Sequence, residues 1–157
     1  MDVIRNNADR LSGIDQLKAL MAAGTPPPLV ATLGFTLTEI EEGRAIFTGS
    51  PDQSVLNNIG SVHGGYIASM MDSACGAAVH SLLTADQGYT TLELKVSFCR
   101  PLSEASGPVR AEGKIQSIGR RAGFAEANLT DCNGKLCATA TATLLIFDLP
   151  PRAETQK

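Results

Sequence analysis

One long apolar stretch near the middle of the chain decides the fold: HGGYIASMMDSACGAAVHSLL, residues 63–83. Placed on a helical wheel, its apolar side chains cover most of the circumference, as expected for a helix that a sheet encloses. The stretch also carries Asp72, His80 and many small residues, so it is too polar to span a membrane. We therefore predict a buried helix that begins near His63–Gly65 and ends before Asp86.

The sequence after this helix has the two-residue period of β-strands. Thr91–Arg100 alternates, with Leu92 and Phe98 predicted on one face and Thr91 on the opposite face. Val109–Ile118 also alternates but slips before Ile118, which predicts a bulge. The consecutive strands after the helix are expected to form an antiparallel sheet.

The last two strands, Phe124–Thr130 and Leu136–Phe147, flank Asn133-Gly134, the strongest hairpin signal in the chain. The final strand has three alanines in the middle of one face, at positions 138, 140 and 142. Such a face leaves a trough that a helix can occupy at short distance. The sequence therefore predicts an α+β fold in which one helix lies in a curved antiparallel sheet.

The sequence before the long helix predicts a helix and two strands. Val3–Ala22 has apolar residues at helical spacing, and Gly24 is a suitable C-cap. The prolines that follow, residues 26–28, are expected to exclude helix. Leu29–Glu41 and Arg44–Ser50 are then predicted as strands joined at Glu42-Gly43. The N-terminal helix packs on the body of the protein or forms an oligomer contact, and both alternatives remain open.

Composition limits the function classes. The chain has 157 residues, the length of one domain. Its net charge of −3 gives no overall positive field that would attract nucleic acid or an anionic membrane. Two histidines and four cysteines without a C-x-x-C pair exclude the usual zinc spacing. A two-residue hairpin would pair Cys132 with Lys135 rather than with Cys137, so we expect four reduced thiols in a cytoplasmic protein, without a signal peptide and without a metal.

Asp72 is the one carboxylate in the predicted helix, and it centres a small polar stripe formed by Gly65, Ser69, Asp72 and Gly76, with His80 close by. A buried carboxylate costs several kcal/mol unless it is paired or used. Asp72 could accept hydrogen bonds at a helix contact, or it could be catalytic; the stripe alone does not separate these alternatives.

The loop before the helix favours catalysis. Gly64 and Gly65 at a helix start let a ligand oxygen reach unpaired backbone N–H groups at the positive end of the helix dipole. Asn57 lies six residues before His63. Thioester hydrolysis requires donors where an oxyanion develops and a carboxylate that activates water or attacks directly.

The segment LNNIGSVHGG, residues 56–65, continued to Asp72-Ser73-Ala74, resembles the signature of hotdog-fold thioesterases of the phenylacetate-degradation (PaaI-like) type, which are relatives of the 4-hydroxybenzoyl-CoA thioesterases. The likeness extends from about Pro26 to Phe147. It implies an acyl-CoA thioesterase with a hotdog domain over residues 25–148, an N-terminal helix over 1–24 and a flexible tail over 149–157.

The resemblance also implies a role for each site residue. Asp72 corresponds to the catalytic base or nucleophile, and the Gly64 amide would polarise the thioester carbonyl. Asn57 would orient the carbonyl or the water from the facing subunit, and Thr91 would hold the water or the carboxylate. His63 either supports the loop or contacts substrate next to Gly65. Some relatives carry a hydroxyl one turn after the carboxylate, where this chain has Gly76.

The resemblance further implies a homodimer, or a homotetramer of two dimers, with the active site between subunits. Pairing two sheets also removes their exposed edges. Coenzyme A is part of the substrate, so no cofactor is expected, and its phosphates need a local cluster of cations. Arg100, Arg120 and Arg121 are the candidates, although adjacent arginines in a turn are often only solvated.

Two other functions compete with this prediction. Some hotdog domains bind acyl-CoA as non-catalytic sensors, but these usually accompany a DNA-binding segment, which is not evident here, and they have no need of Asp72. A hotdog dehydratase would require a catalytic histidine in its own motif, and neither His63 nor His80 lies in such a pattern.

Overall fold

The computed structural model describes residues 11–150. In chain order, the helices are α1 Gly13–Ala23, α2 Pro28–Leu33 and α3 Gly64–His80. The strands are β1 Phe35–Glu41, β2 Arg44–Gly49, β3 Gln87–Phe98, β4 Val109–Ile118, β5 Ala122–Thr130 and β6 Leu136–Asp148. None of these helices is both long enough and apolar enough to cross a membrane.

The six strands form one antiparallel sheet in the order β1-β2-β4-β5-β6-β3. β3 is therefore an edge strand that pairs with β6 alone among the described strands. The sheet encloses α3, and the predicted architecture of a central helix wrapped by an antiparallel sheet is confirmed, as is the additional helix near the N-terminus.

Small residues let α3 approach the sheet closely. A Cβ on Gly113 in β4 would meet the backbone of Ala74 and Cys75, so the helix passes directly over this glycine. The three alanines of β6, residues 138, 140 and 142, are each at most 5% exposed. The trough predicted from these alanines is thus filled, and Met70 and Met71 of α3 are fully buried.

The prediction of a strand over Leu29–Glu41 is wrong in its first half. Pro28 begins α2 instead of excluding helix, because at the first helical position its missing N–H costs nothing. Gly34 ends α2 in the left-handed conformation, with φ of 70°, and β1 starts only at Phe35. The Glu42-Gly43 turn between β1 and β2 is confirmed by the pairing of Glu41 with Arg44.

α1 begins at Gly13, after the N-cap Ser12. Its predicted C-cap is confirmed, because Gly24 has φ of 61° and its N–H bonds the Met21 carbonyl. The predicted helical residues before Leu11, and all but the first two residues of the predicted tail, lie outside the described residues. α1 docks on the end of α3: the Gly13 N–H donates to the Leu83 carbonyl over 2.9 Å.

The prediction of strict alternation along Thr91–Arg100 is wrong at its start. The register of β3 on β6 shifts between Thr91 and Glu93, so Leu92 is an extra residue and is 62% exposed. Thr91 consequently faces inward on the same side as Leu94, although alternation had placed them on opposite faces. The bulge predicted in β4 is confirmed, between Ile115 and Ser117.

The Asn133-Gly134 hairpin is confirmed, but its loop is longer than two residues. Thr130 pairs with Leu136, and the Asp131 carboxylate accepts from the backbone N–H groups of Asn133 and Lys135. The expected pairing of Cys132 with Lys135 is therefore wrong, because the Asp131 side chain organises a five-residue loop. All four cysteines are free thiols.

Candidate active site

Asp72 lies in the middle of α3, is partly exposed, and is oriented by Thr91. The Thr91 hydroxyl donates to Oδ1 of Asp72 over 2.9 Å. Within residues 11–150, no cation forms an ion pair with Asp72, and no other hydrogen bond to its side chain is present. One carboxylate oxygen is thus held in place while the other is available to a water molecule or a substrate.

The β3 bulge is what brings Thr91 to this carboxylate. β3 runs alongside α3 in the opposite direction, and the extra residue Leu92 turns the Thr91 side chain toward the helix. Bulges next to functional sites commonly re-aim one side chain in this way. The contact therefore depends on a local register shift that alternation along the strand does not reveal.

Tyr89 is a site residue that the sequence reasoning missed. A Cβ on Gly76 would lie 2.9 Å from the Tyr89 hydroxyl oxygen, so the tyrosine covers the position where some relatives have a hydroxyl. Burial raises the pKa of Tyr89 to about 12, and the charge of Asp72 adds to the shift. The phenol therefore stays neutral. The available signal was its position two residues before Thr91, on the same face of the strand.

Cys75 is close to Asp72 but is unsuited to nucleophilic chemistry. Its side chain is fully buried, and burial, together with the charge of Asp72, raises the pKa of its thiol to about 12. Since the thiolate is the reactive form, Cys75 is inert at neutral pH.

The start of α3 offers one unpartnered amide. Nδ1 of His63 accepts from the Gly65 N–H over 2.8 Å, which makes His63 the N-cap and requires that its ring proton is on Nε2. The N–H groups of Tyr66 and Ile67 bond the His63 carbonyl. Among the described residues, only the Gly64 N–H of this first turn has no acceptor. His63 thus supports the loop, and Gly64 rather than Gly65 keeps a donor for a ligand.

Asn57 is anchored by its oxygen, which leaves its amide nitrogen available. Oδ1 accepts from the Ile59 N–H over 3.1 Å and the Ser61 N–H over 3.0 Å. The Asn57 N–H also bonds the Ser61 carbonyl over 2.7 Å. The loop therefore fixes the side chain so that its NH₂ group is free to donate, beside a shallow pocket that includes Ile59 and His63.

Phe98 is a second residue that the sequence reasoning did not single out for the site. A Cβ on Gly64 would lie 3.1 Å from the Cζ atom of Phe98, so the ring covers the start of α3. Phe98 is 56% exposed at the end of the edge strand β3. The aromatic ring therefore lies beside the unpartnered Gly64 amide, on an edge strand that pairs with β6 alone among the described strands.

The structure separates the two halves of the candidate site within one chain. Gly64 and Asp72 are eight residues apart on α3, which corresponds to roughly 12 Å along the helix axis. Atoms that act on one reacting carbon must each approach it to about 3 Å. The amide and the carboxylate of the same chain therefore cannot serve the same thioester.

The candidate arginines are exposed but do not form one cluster. The Arg121 carbonyl accepts from Ile146, which pairs with Tyr89 near the start of β3. Arg100 follows the other end of β3, and the nine residue steps from Tyr89 to Phe98 span roughly 30 Å. Arg120 lies next to Arg121 in the β4–β5 turn. None of the three arginines forms an ion pair with another residue in the range 11–150.

Comparison with protein families identifies one match that covers half of the chain. The profile of the Thioesterase superfamily matches residues 59–138, which include the start of α3, Asp72 and Thr91. A protein of Saccharolobus solfataricus, whose name assigns it an inferred esterase activity, is 30% identical over 73% of this chain and 75% of its own length. A second protein of that organism with the same kind of name is 32% identical over 73% of this chain and 80% of its own length.

Solved structures with the same fold are numerous. A thioesterase family protein from Silicibacter pomeroyi has a TM-score of 0.75 and 27% identity, covering 84% of this chain and 96% of that chain. A phenylacetic acid degradation-related protein from Ralstonia eutropha JMP134 has a TM-score of 0.74 and 28% identity, covering 82% of this chain and 98% of that chain. The PaaI protein of E. coli, at 20% identity and a TM-score of 0.76, shares the fold over 88% of this chain and 97% of its own.

Proposed function

Since the chain belongs to the Thioesterase superfamily and has the hotdog fold of PaaI-like proteins, we propose that it hydrolyses acyl-CoA thioesters to a free acid and coenzyme A. The observation that carries the proposal is Asp72, a partly exposed carboxylate that pairs with no cation within residues 11–150. Thr91 holds it in a helix that is otherwise largely buried. Merely structural carboxylates in such helices are normally paired.

The proposed chemistry uses three groups. The Gly64 N–H, assisted by the Asn57 amide, donates to the thioester carbonyl oxygen and stabilises the oxyanion. Asp72 removes a proton from water, which attacks the carbonyl carbon; the C–S bond then breaks and the thiolate takes the proton. In the alternative route Asp72 attacks the carbonyl carbon directly, the C–S bond breaks, and coenzyme A leaves as a thiolate that takes a proton from water. A water molecule then hydrolyses the resulting anhydride. The geometry accommodates both routes.

A second copy of the chain completes the proposed site. If two β3 edges pair in antiparallel fashion, their α3 helices also run antiparallel, and the Gly64 of one chain can face the Asp72 of the other. The twofold axis would then pass near Ala68, midway between the two positions, where small side chains permit close approach. This arrangement removes the roughly 12 Å gap and covers the exposed edge of β3. The proposed assembly is a homodimer, which two dimers can extend to a homotetramer.

The same pairing would bring the arginines together. It places the end of β3 in one chain beside the start of β3 in the other, so Arg100 approaches the Arg120–Arg121 turn of the partner subunit. Arginines without acidic partners at that position suit the phosphates of coenzyme A.

The experiment compares thiol release from short, medium and aryl acyl-CoAs by the wild type and Asp72→Asn. The asparagine keeps an oxygen for Thr91 but cannot accept the water proton, so we expect the rate to fall by about 10²-fold or more. Glu42→Gln, which neutralises an exposed carboxylate in the β1–β2 turn, is the matched control and should retain the wild-type rate.

Two results would contradict the proposal. An Asp72→Asn variant with full activity would show that another group performs the chemistry. Tight binding of an acyl-CoA without turnover by the wild type would instead identify a non-catalytic acyl-CoA-binding protein.

A further inference from the structure

A cavity of about 390 Å³ lies beside the candidate active site, between the N-terminal helices and α3. One wall consists of α1, the segment that follows it and the start of α2, including Leu20, Pro26 and Val30. The opposite wall consists of Ser73, Ala77 and His80 on one side of α3, with Tyr89 from β3. We call this space the α1 cavity.

The α1 cavity begins next to the catalytic pair proposed above. Ser73 directly follows Asp72 on α3, and Tyr89 precedes Thr91 by two residues on the same face of β3. The Tyr89 side chain lies against both Gly76 and His80, and the centroids of the Tyr89 and His80 rings are 5.4 Å apart. The apolar space that Ser73 and Tyr89 line is therefore adjacent to Asp72 and Thr91.

The wall of the α1 cavity suits an uncharged apolar chain. None of its lining residues is aspartate, glutamate, lysine or arginine. The one titratable imidazole, His80, is buried, and burial lowers its pKa to about 4, so it is neutral at neutral pH. Its Nε2 bonds Oε1 of Gln16 over 3.1 Å and is thereby already satisfied. A charged acyl group would find no partner in this space.

The volume indicates the length of the chain. A cavity of about 150 Å³ holds one benzene molecule, and the α1 cavity is more than twice that size. Its lining extends from Ser73 and Ala77 on α3, past α1, to the exposed side chain of Leu29 on α2. An extended alkyl chain of roughly eight to twelve carbons would fill such a space.

We propose that the α1 cavity binds the straight alkyl chain of a medium-length acyl-CoA, so that α1 is the wall that sets acyl-chain length. This inference rests on the proposed thioesterase function and adds the substrate class. The contacts of α1 fit the role: the bonds from Gly13 to Leu83 and between Gln16 and His80 fix the helix across the cavity.

The test is the dependence of kcat/KM on acyl-chain length, from acetyl-CoA to palmitoyl-CoA. For the wild type we expect kcat/KM to rise roughly three- to fourfold per methylene group, to a maximum at about eight to twelve carbons. Leu20→Trp fills the cavity from α1, and we expect it to shorten the optimum by about two to four carbons and to lower kcat/KM for longer chains at least tenfold.

Two further variants guard against misfolding and unspecific effects. Ala77→Leu fills the same cavity from α3 and should shorten the optimal acyl-chain length in the same way. The test therefore still decides if one of the two variants fails to fold. Ala22→Leu places a comparable side chain on the exposed face of α1, outside the cavity, and should leave the length profile unchanged.

The outcomes distinguish this inference from the proposed function. If hydrolysis requires Asp72 but Leu20→Trp and Ala77→Leu have the wild-type dependence on acyl-chain length, the proposed role of the α1 cavity is wrong. The proposed thioesterase function would still stand. A preference for aryl over alkyl groups would also overturn the proposed role of the α1 cavity. If no acyl-CoA is hydrolysed, titration with a thioether analogue of decanoyl-CoA still decides: binding weakened at least tenfold by Leu20→Trp supports the cavity, and unchanged or absent binding overturns it.

Discussion

At the scale of single residues, the candidate site depends on one hydrogen bond, from the Thr91 hydroxyl to Oδ1 of Asp72 over 2.9 Å. A hydrogen bond to a charged group contributes more than one between neutral groups, typically about 1.5–3 kcal/mol. It also fixes the rotamer of the carboxylate, which determines where its free oxygen points. The position of Asp72 can be inferred from the sequence, but this orientation cannot.

Thr91→Val removes the donor and preserves the shape of the side chain. We expect kcat to fall about tenfold to a hundredfold, because the carboxylate loses both its orientation and a hydrogen bond. Steady-state kinetics measure the effect, and thermal unfolding checks that the fold is retained. Thr90→Val, at the exposed neighbouring position, is the control. A Thr91→Val enzyme as fast as wild type would mean that the bond has no part in catalysis.

At the scale of elements, α1 is joined to α3 through a buried polar pair rather than through packing alone. His80 is 6% exposed, and its Nε2–H donates to Oε1 of Gln16. Burial lowers the pKa of His80 to about 4, whereas an unperturbed histidine has a pKa of about 6.5. The attachment of α1 is therefore linked to pH.

The sign of this linkage follows from proton binding. Between pH 6.5 and 4 the unfolded chain binds a proton at His80 that the folded chain does not, so stability falls as pH decreases through that window. From pH 7.5 to pH 5 the loss attributable to His80 is about 2 kcal/mol. Urea unfolding at both pH values should show this loss in the wild type and a smaller one in His80→Gln. Equal losses in both proteins would assign the effect to other groups.

At the scale of the whole molecule, the sheet leaves β3 as an edge with Leu92 and Phe98 more than half exposed. This exposed edge favours the proposed pairing of two chains. The amide of Gly64 and the carboxylate of Asp72 favour it as well, because they are too far apart to act together within one chain. In the proposed homodimer, two chains related by a twofold axis would form two equivalent sites, each with groups from both chains.

A shared site can be tested by mixing two inactive variants. Asn57→Asp keeps the oxygen that accepts from Ile59 and Ser61 but loses the free NH₂ donor. Heterodimers of Asn57→Asp with Asp72→Asn carry one intact site and one doubly altered site. After subunit exchange of equal amounts, we expect about one quarter of the wild-type activity, measured as thiol release. No recovery, in heterodimers verified by mass spectrometry, would place the whole site within one chain.

The sequence by itself determined the helix, the strand order along the chain, the Asn133-Gly134 hairpin and the presence of a carboxylate within an apolar helix, because these depend on local periodicity and turn chemistry. Only the tertiary structure decided which side chains meet. The extra residue Leu92 turned Thr91 toward Asp72, and the Tyr89 ring covered Gly76. The register of distant strands also placed Arg100 and Arg121 at opposite ends of the sheet. Such contacts join residues far apart in the chain, and a one-residue shift in register, which local patterns do not encode, reverses the face of every side chain that follows.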